Sequence, residues 1–368
     1  MKLKLKAALA GLAPYAAGKP VDEVKRELGL SRVVKLASNE NPYGLSDAAR
    51  TAIINAAAGS NIYPDGAAYS LRGALADRLG VGGDELIFGT GSDGLIELLA
   101  KTFLSAGDEA IMPDPSFALY NSNTLAAGAV PVKVPLRADY KMDLDAMADR
   151  ITDRTRIIWL CHPNNPTGEI SGGAELLRFL EAVPEDVLVV SDEAYYEFAS
   201  GRDGYFESLA SRRENLITLR TFSKLHGLAG LRVGYGKADA AVISELEKVR
   251  SPFNVNSLAQ AAAAASLTDA AFAAMTLEKN AENMKYLCGR LDEMGLYHIP
   301  SYTNFIAVNV GMDSQKAFSA LLSRGYIVKG GHVLGMNGFL RVTVGTREEC
   351  EGFINALSEV ISENEKSQ

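Results

Sequence analysis

Short apolar runs recur at 86–88, 109–112, 156–161, 187–190, 216–219 and 231–235, with helix-patterned segments between them. Val187-Leu188-Val189-Val190 has no polar alternation at all. A strand with one wet face alternates apolar and polar residues, whereas an unbroken apolar run is covered on both faces. Helical patterns at 71–79, 95–104 and 174–182 supply that cover. The alternation predicts an α/β fold with a mostly parallel sheet.

The flanks read differently. Residues 1–35 form an arm with a short helix at 21–28, and Ser46 caps a helix running to about residue 57. Helical composition resumes at 257 and again at 270–294. Beyond it, strands at 304–310, 326–329 and 339–344 are separated by helices at 314–323 and 348–361. Short, mainly antiparallel strands under two helices make a smaller α+β unit. The expected division is 1–50 as arm and part of the small unit, 51–265 as the large α/β domain and 266–368 as the small C-terminal domain; 368 residues suit one large and one small core.

A net charge of −8 argues against nucleic acid as the main partner. Three widely separated cysteines form neither a metal pattern nor a disulfide framework, so a reducing cytoplasm and no metal are expected. The basic start, Met1 to Ala7, lacks the apolar run of a signal peptide, and no stretch approaches ~20 apolar residues, so no membrane association is expected.

Four loops follow predicted parallel strands, where open α/β sheets bind ligands. In Thr221-Phe222-Ser223-Lys224, hydroxyls lead to a single lysine, and Arg232 follows eight residues later. A desolvated lysine condenses with aldehydes, and hydroxyls beside an arginine suit a phosphate ester. An aldehyde and a phosphate on one molecule describe pyridoxal 5′-phosphate (PLP). Asp192 closes the 187–190 run; a carboxylate there needs a cation or donor, which a pyridinium N–H would provide, and Tyr195 follows three residues on. Alternatively Asp192 caps the next helix. Asn165, in Pro163-Asn164-Asn165-Pro166-Thr167-Gly168, offers an amide to a ring oxygen, or belongs to a rigid turn. Gly89-Thr90-Gly91-Ser92-Asp93-Gly94 opens a helix and suits a phosphate, but with Asp114 twenty residues on it also matches a dinucleotide fingerprint. A nicotinamide-dependent dehydrogenase is therefore a competing reading, one that gives Lys224 and Asp192 no task.

Asn165-Pro166-Thr167-Gly168, Asp192-Glu193-Ala194-Tyr195, Ser223-Lys224 and Arg232 resemble the signature of the fold-type I PLP-dependent aminotransferases. Pro14-Tyr15, Gly18-Lys19-Pro20, Ser38-Asn39-Glu40-Asn41-Pro42, Tyr63-Pro64-Asp65, Gly91-Ser92-Asp93 and Leu340-Arg341-Val342-Thr343-Val344-Gly345-Thr346 resemble, more narrowly, the histidinol-phosphate aminotransferases, over nearly the whole chain.

The resemblance implies a seven-stranded, mostly parallel sheet in the large domain and PLP as cofactor. Lys224 would bond the cofactor aldehyde and shuttle the proton, Asp192 would pair with the ring nitrogen, and Tyr195 with Asn165 would bond the ring oxygen. Phe117 would stack on the ring. Ser92, Asp93, Thr221, Ser223 and Arg232 would hold the phosphate, joined by Tyr63 from the other subunit of a homodimer. Arg341, with Tyr15, Asn39 and Lys329, would meet substrate. The implied reaction is amino transfer between histidinol phosphate and 2-oxoglutarate, giving imidazole-acetol phosphate and glutamate. Aromatic amino-acid transamination is the near alternative; a threonine-phosphate-type decarboxylase and a non-catalytic regulator rank below it, the latter lacking a DNA-binding extension. Lys329 stands where family members usually carry arginine, keeping the charge without the planar fork.

Overall fold

The computed structural model describes residues 19–366 together with Lys6, Ala8, Leu9 and Leu12. Its strands, in chain order, are β1 (Val34–Lys35), β2 (Leu86–Gly89), β3 (Glu109–Asp114), β4 (Val130–Pro135), β5 (Thr155–Cys161), β6 (Leu188–Asp192), β7 (Leu216–Thr221) and β8 (Gly234–Lys237). A second group follows: β9 (His298–Ile299), β10 (Phe305–Asn309), β11 (Tyr326–Ile327), β12 (Lys329–Gly330) and β13 (Phe339–Thr343).

The apolar runs become the interior of a seven-stranded sheet ordered β2-β8-β7-β6-β5-β3-β4. β5, β6 and β7 are mutually parallel, and only β8 runs against its neighbours. Every residue of β2, β6 and β7 is buried, as expected for strands covered on both faces. One apolar layer, holding Trp159, Leu99 and Ile217, packs on one face, and a second, holding Ile158, Val189 and Phe179, on the other. Each such fully buried aliphatic side chain contributes about 1.5–3 kcal/mol.

The helix Asp47–Ala57 starts where expected, with the Ser46 hydroxyl accepting from the Ala49 N–H. β4 had no apolar signature: Pro131, Lys133 and Pro135 read as loop, and a strand paired on one side only tolerates them. The strand expected at 231–235 begins instead at Gly234. Ala229–Leu231 forms a 3-10 turn and Arg232 takes a left-handed conformation at φ 57°.

In the second group β12, β13, β10 and β9 form an antiparallel sheet, while β1 and β11 pair in parallel. The single strand expected at 326–329 is thus two strands on different sheets. Between them the chain shifts from β1 to β13, which delivers Lys329 beside Arg341. No single helix among the described residues is long and apolar enough to cross a membrane.

Candidate active site

β2, β5, β6 and β7 end on the same edge of the large sheet, and the loops after them meet the second group of strands there. The cavity they enclose measures about 360 Å³. Asn39, Ser92, Asp93, Phe117, Asn165, Asp192, Tyr195, Thr221, Ser223, Lys224, Arg232, Lys329 and Arg341 all line it. A separate space of about 580 Å³ shares Phe117, Asn165, Lys329 and Arg341. Thirteen of the fifteen expected positions therefore converge. Tyr63 does not: it is 79% exposed and stacks on Phe253 at 4.8 Å, away from this cavity. Tyr15 lies outside the described residues.

Lys224 follows β7 by three residues, and its amine donates to the Ser38 carbonyl at 3.2 Å. Burial, with Arg341 nearby, pulls its pKa from 10.5 down to about 8, against the opposing pull of Asp93 and Glu40. Just beyond it Gly227 sits at φ 68°, and a Cβ there would lie 1.8 Å from the Gly44 carbonyl oxygen. Only glycine lets the chain pass this close.

Asp192 ends β6 and is 3% exposed. Burial raises its pKa to about 6, although the Tyr120 hydroxyl, donating at 2.7 Å, and the Ala194 N–H, donating at 3.2 Å, both favour the ionised form. Tyr195, whose phenol is raised by burial, accepts from the Asn39 amide at 2.8 Å. Asn39 is itself left-handed at φ 55° and is pinned through Thr343 and Asn304. Arg341, in β13, donates to the Asn165 side-chain oxygen at 2.6 Å and to the Ala37 carbonyl at 2.7 Å.

PLP makes a separate demand on each of these groups. A phosphate needs donors and positive charge. Ser92 and Asp93 open the helix Gly91–Phe103, whose N-cap Thr90 makes no side-chain cap bond, so its first N–H groups are left for a ligand. Arg232 reaches that helix start and pairs with Asp93 at 3.1 Å. A Cβ on Gly91 would lie 2.7 Å from the Arg232 guanidinium, and one on Gly234 would lie 2.8 Å from the Ser92 nitrogen. The hydroxyls of Thr221 and Ser223, 2.9 Å apart, border the same space. A pyridine nitrogen needs a buried carboxyl, an aldehyde needs a partly neutral amine, and a ring needs an apolar face; Asp192, Lys224 and Phe117 offer these. The donor set fits the cofactor.

Two further features had no signal in the expected motifs. Tyr120 has no aldehyde, phosphate or carboxylate logic of its own, and only packing brings it to Asp192. Glu193 and Arg220 form a buried ion pair at 2.7 Å, 0% and 4% exposed, directly behind Asp192 and Thr221. Opposite charges on adjacent runs hint at such a pair, but nothing in their spacing specifies it.

The chain belongs to the aminotransferase class I and II family, whose model matches residues 31–357. Within it, the chain is 46% identical over its whole length to the histidinol-phosphate aminotransferase of Halalkalibacterium halodurans, covering 99% of that protein. It is 47% identical to the one from Moorella thermoacetica, with 98% of this chain and 93% of the relative aligned. The solved histidinol-phosphate aminotransferase of Sinorhizobium meliloti, in complex with pyridoxal-5′-phosphate, superposes with a TM-score of 0.89 at 27% identity and 98% coverage of both chains. The dinucleotide reading falls on topology as well. β2 pairs only with the antiparallel β8, so Gly89–Gly94 is not the turn of a parallel βαβ unit that the fingerprint requires.

Proposed function

We propose that this chain is a PLP-dependent aminotransferase that exchanges the amino group between histidinol phosphate and 2-oxoglutarate. One observation carries the reading: a partly neutral lysine, a buried carboxyl and two cations, Lys329 and Arg341, all border one cavity. When bound, PLP supplies an aldehyde that condenses with amines and a ring that withdraws electrons from the bonds of the amine-bearing carbon.

The residues divide the remaining work. Arg232, Ser92, Thr221 and Ser223 hold the phosphate, and the Asp93 side chain orients Arg232. Phe117 covers one ring face. Asp192 holds a proton at the ring nitrogen, which keeps the ring electron-poor, while Tyr195 and Asn165 fix the ring oxygen. Lys224 Nζ, neutral in part near pH 8, would take up and return the proton of the substrate α-carbon. Arg341 and Lys329, with Asn39 and Tyr15, take the carboxylate of glutamate and the phosphate of histidinol phosphate in alternate half-reactions.

Residues 51–265 form the cofactor-binding domain and 266–368 the smaller one, which part of 1–50 completes beyond an N-terminal arm. Two copies associate so that Tyr63 reaches the phosphate site of the other. The exposed Ile54, Ile62, Tyr63, Tyr69 and Phe253 suit such a contact better than water. Free thiols at Cys161, Cys288 and Cys350 suit the cytoplasm.

An absorbance spectrum of the purified protein, with and without histidinol phosphate, tests the reading. A visible band that bleaches on mixing is expected; a colourless protein refutes the cofactor. A preference for phenylalanine of about tenfold in kcat/KM, roughly 1.4 kcal/mol, would replace the substrate assignment with an aromatic one.

A further inference from the structure

Tyr120 touches the carboxyl group of Asp192, yet the proposed chemistry gives it no task. It is fully buried, two residues into the helix Ala118–Ala127 and three after Phe117. Its ring stacks on Trp159 at 5.0 Å with an 8° interplanar angle, and meets Phe117 edge-on at 5.7 Å. Its hydroxyl donates to one oxygen of Asp192 at 2.7 Å, while the other oxygen accepts from the Ala194 N–H. A carboxyl group turns freely about its last bond unless both oxygens are engaged, and a donor on one oxygen favours the charged form. Packing on two aromatic rings leaves Tyr120 no alternative direction. One helical turn therefore delivers both the ring that covers the cofactor site and the hydroxyl that fixes its carboxylate.

We propose that Tyr120 is a positioning residue that holds Asp192 ionised and correctly turned toward the ring nitrogen of the cofactor. The proposal rests on the cofactor assignment made above. Tyr120 acts on PLP only through Asp192, so its hydroxyl matters only when the bound ring carries a nitrogen.

That dependence separates the role from simple support of the fold. Trp159 is the only tryptophan of the chain and lies directly under Tyr120, so its fluorescence reports binding. The cofactor-free wild type and Tyr120→Phe, which keeps the stacked ring, are titrated with PLP and with its 1-deaza analogue, in which carbon replaces the ring nitrogen. The expected result is a loss of about tenfold in PLP affinity for Tyr120→Phe, as for one hydrogen bond to a charged group, with no loss for the analogue. In an Asp192→Ala background the same substitution costs nothing further. Equal losses for both probes, no loss for either, or an undiminished loss without Asp192 overturns the role of Tyr120. A wild type that binds neither probe instead overturns the cofactor assignment itself.

Discussion

Lys329 and Arg341 stand directly opposite one another in the antiparallel pair β12–β13. Like charges in register across a sheet oppose folding. Burial, and then Arg341, lowers the Lys329 pKa, as expected where two cations are held together. Both side chains border the inner cavity and the larger adjoining one. An anion taken into this cavity would offset that repulsion, which is the task the proposed function gives the two side chains.

Lys329→Met is expected to raise KM for histidinol phosphate by about tenfold or more, the worth of one hydrogen bond to a charged group, with a smaller change in kcat. Lys329→Arg should preserve or improve binding, since the guanidinium fork suits phosphate. Steady-state kinetics with histidinol phosphate and glutamate in turn would check both, and an unchanged KM for Met would remove Lys329 from the substrate site.

Lys224→Ala should abolish turnover while PLP still binds weakly through Arg232 and the Gly91–Phe103 helix start. Borohydride treatment followed by peptide mapping should find the pyridoxyl group on residue 224 of the wild type. Activity retained in the variant would contradict the assignment.

The depressed Lys224 pKa also has a stability signature. With about 8 in the folded, cofactor-free protein and 10.5 in the unfolded chain, the unfolded state binds more protons between those values. Stability should therefore rise as pH increases from about 8 to 10.5, by on the order of 3 kcal/mol from this group. Urea melts of the wild type and Lys224→Met across that range should differ in slope, the variant lacking this increment.

Asp192→Ala is expected to lose more in rate than in cofactor affinity, since the phosphate contacts remain while the ring is no longer kept electron-poor. Single-turnover half-reactions with glutamate at saturating PLP measure the effect. An undiminished rate constant would assign Asp192 to packing alone.

Glu193→Ala leaves the Arg220 guanidinium buried without its partner, where it also lies 3.2 Å from the Tyr196 ring centre. A loss of about 3–5 kcal/mol is expected. Replacing both members, as Glu193→Leu with Arg220→Met, should cost clearly less. Denaturant melts of the two variants compare them, and equal losses would show that the pair is not what the single substitution breaks.

Much of the large sheet was legible because its strands are continuous apolar runs, and burial on two faces leaves no other reading. Lys224, Asp192 and Asn165 were legible because each is a polar group at the end of such a run. β4 was not, because an edge strand can carry prolines and lysine; nor was the turn at Arg232, because a left-handed arginine has no local signature. The break after Ile327 that hands Lys329 to another sheet is equally silent in the residues themselves.

The linear order of residues thus determined which chemical groups this protein owns and at which strand ends they lie, since both follow from local hydrophobic pattern. Tertiary structure alone decided that Tyr120 meets Asp192, that Arg220 meets Glu193 and that Lys329 faces Arg341. Those contacts join segments far apart in the chain, and their geometry depends on how helices and sheets pack, which no local pattern encodes.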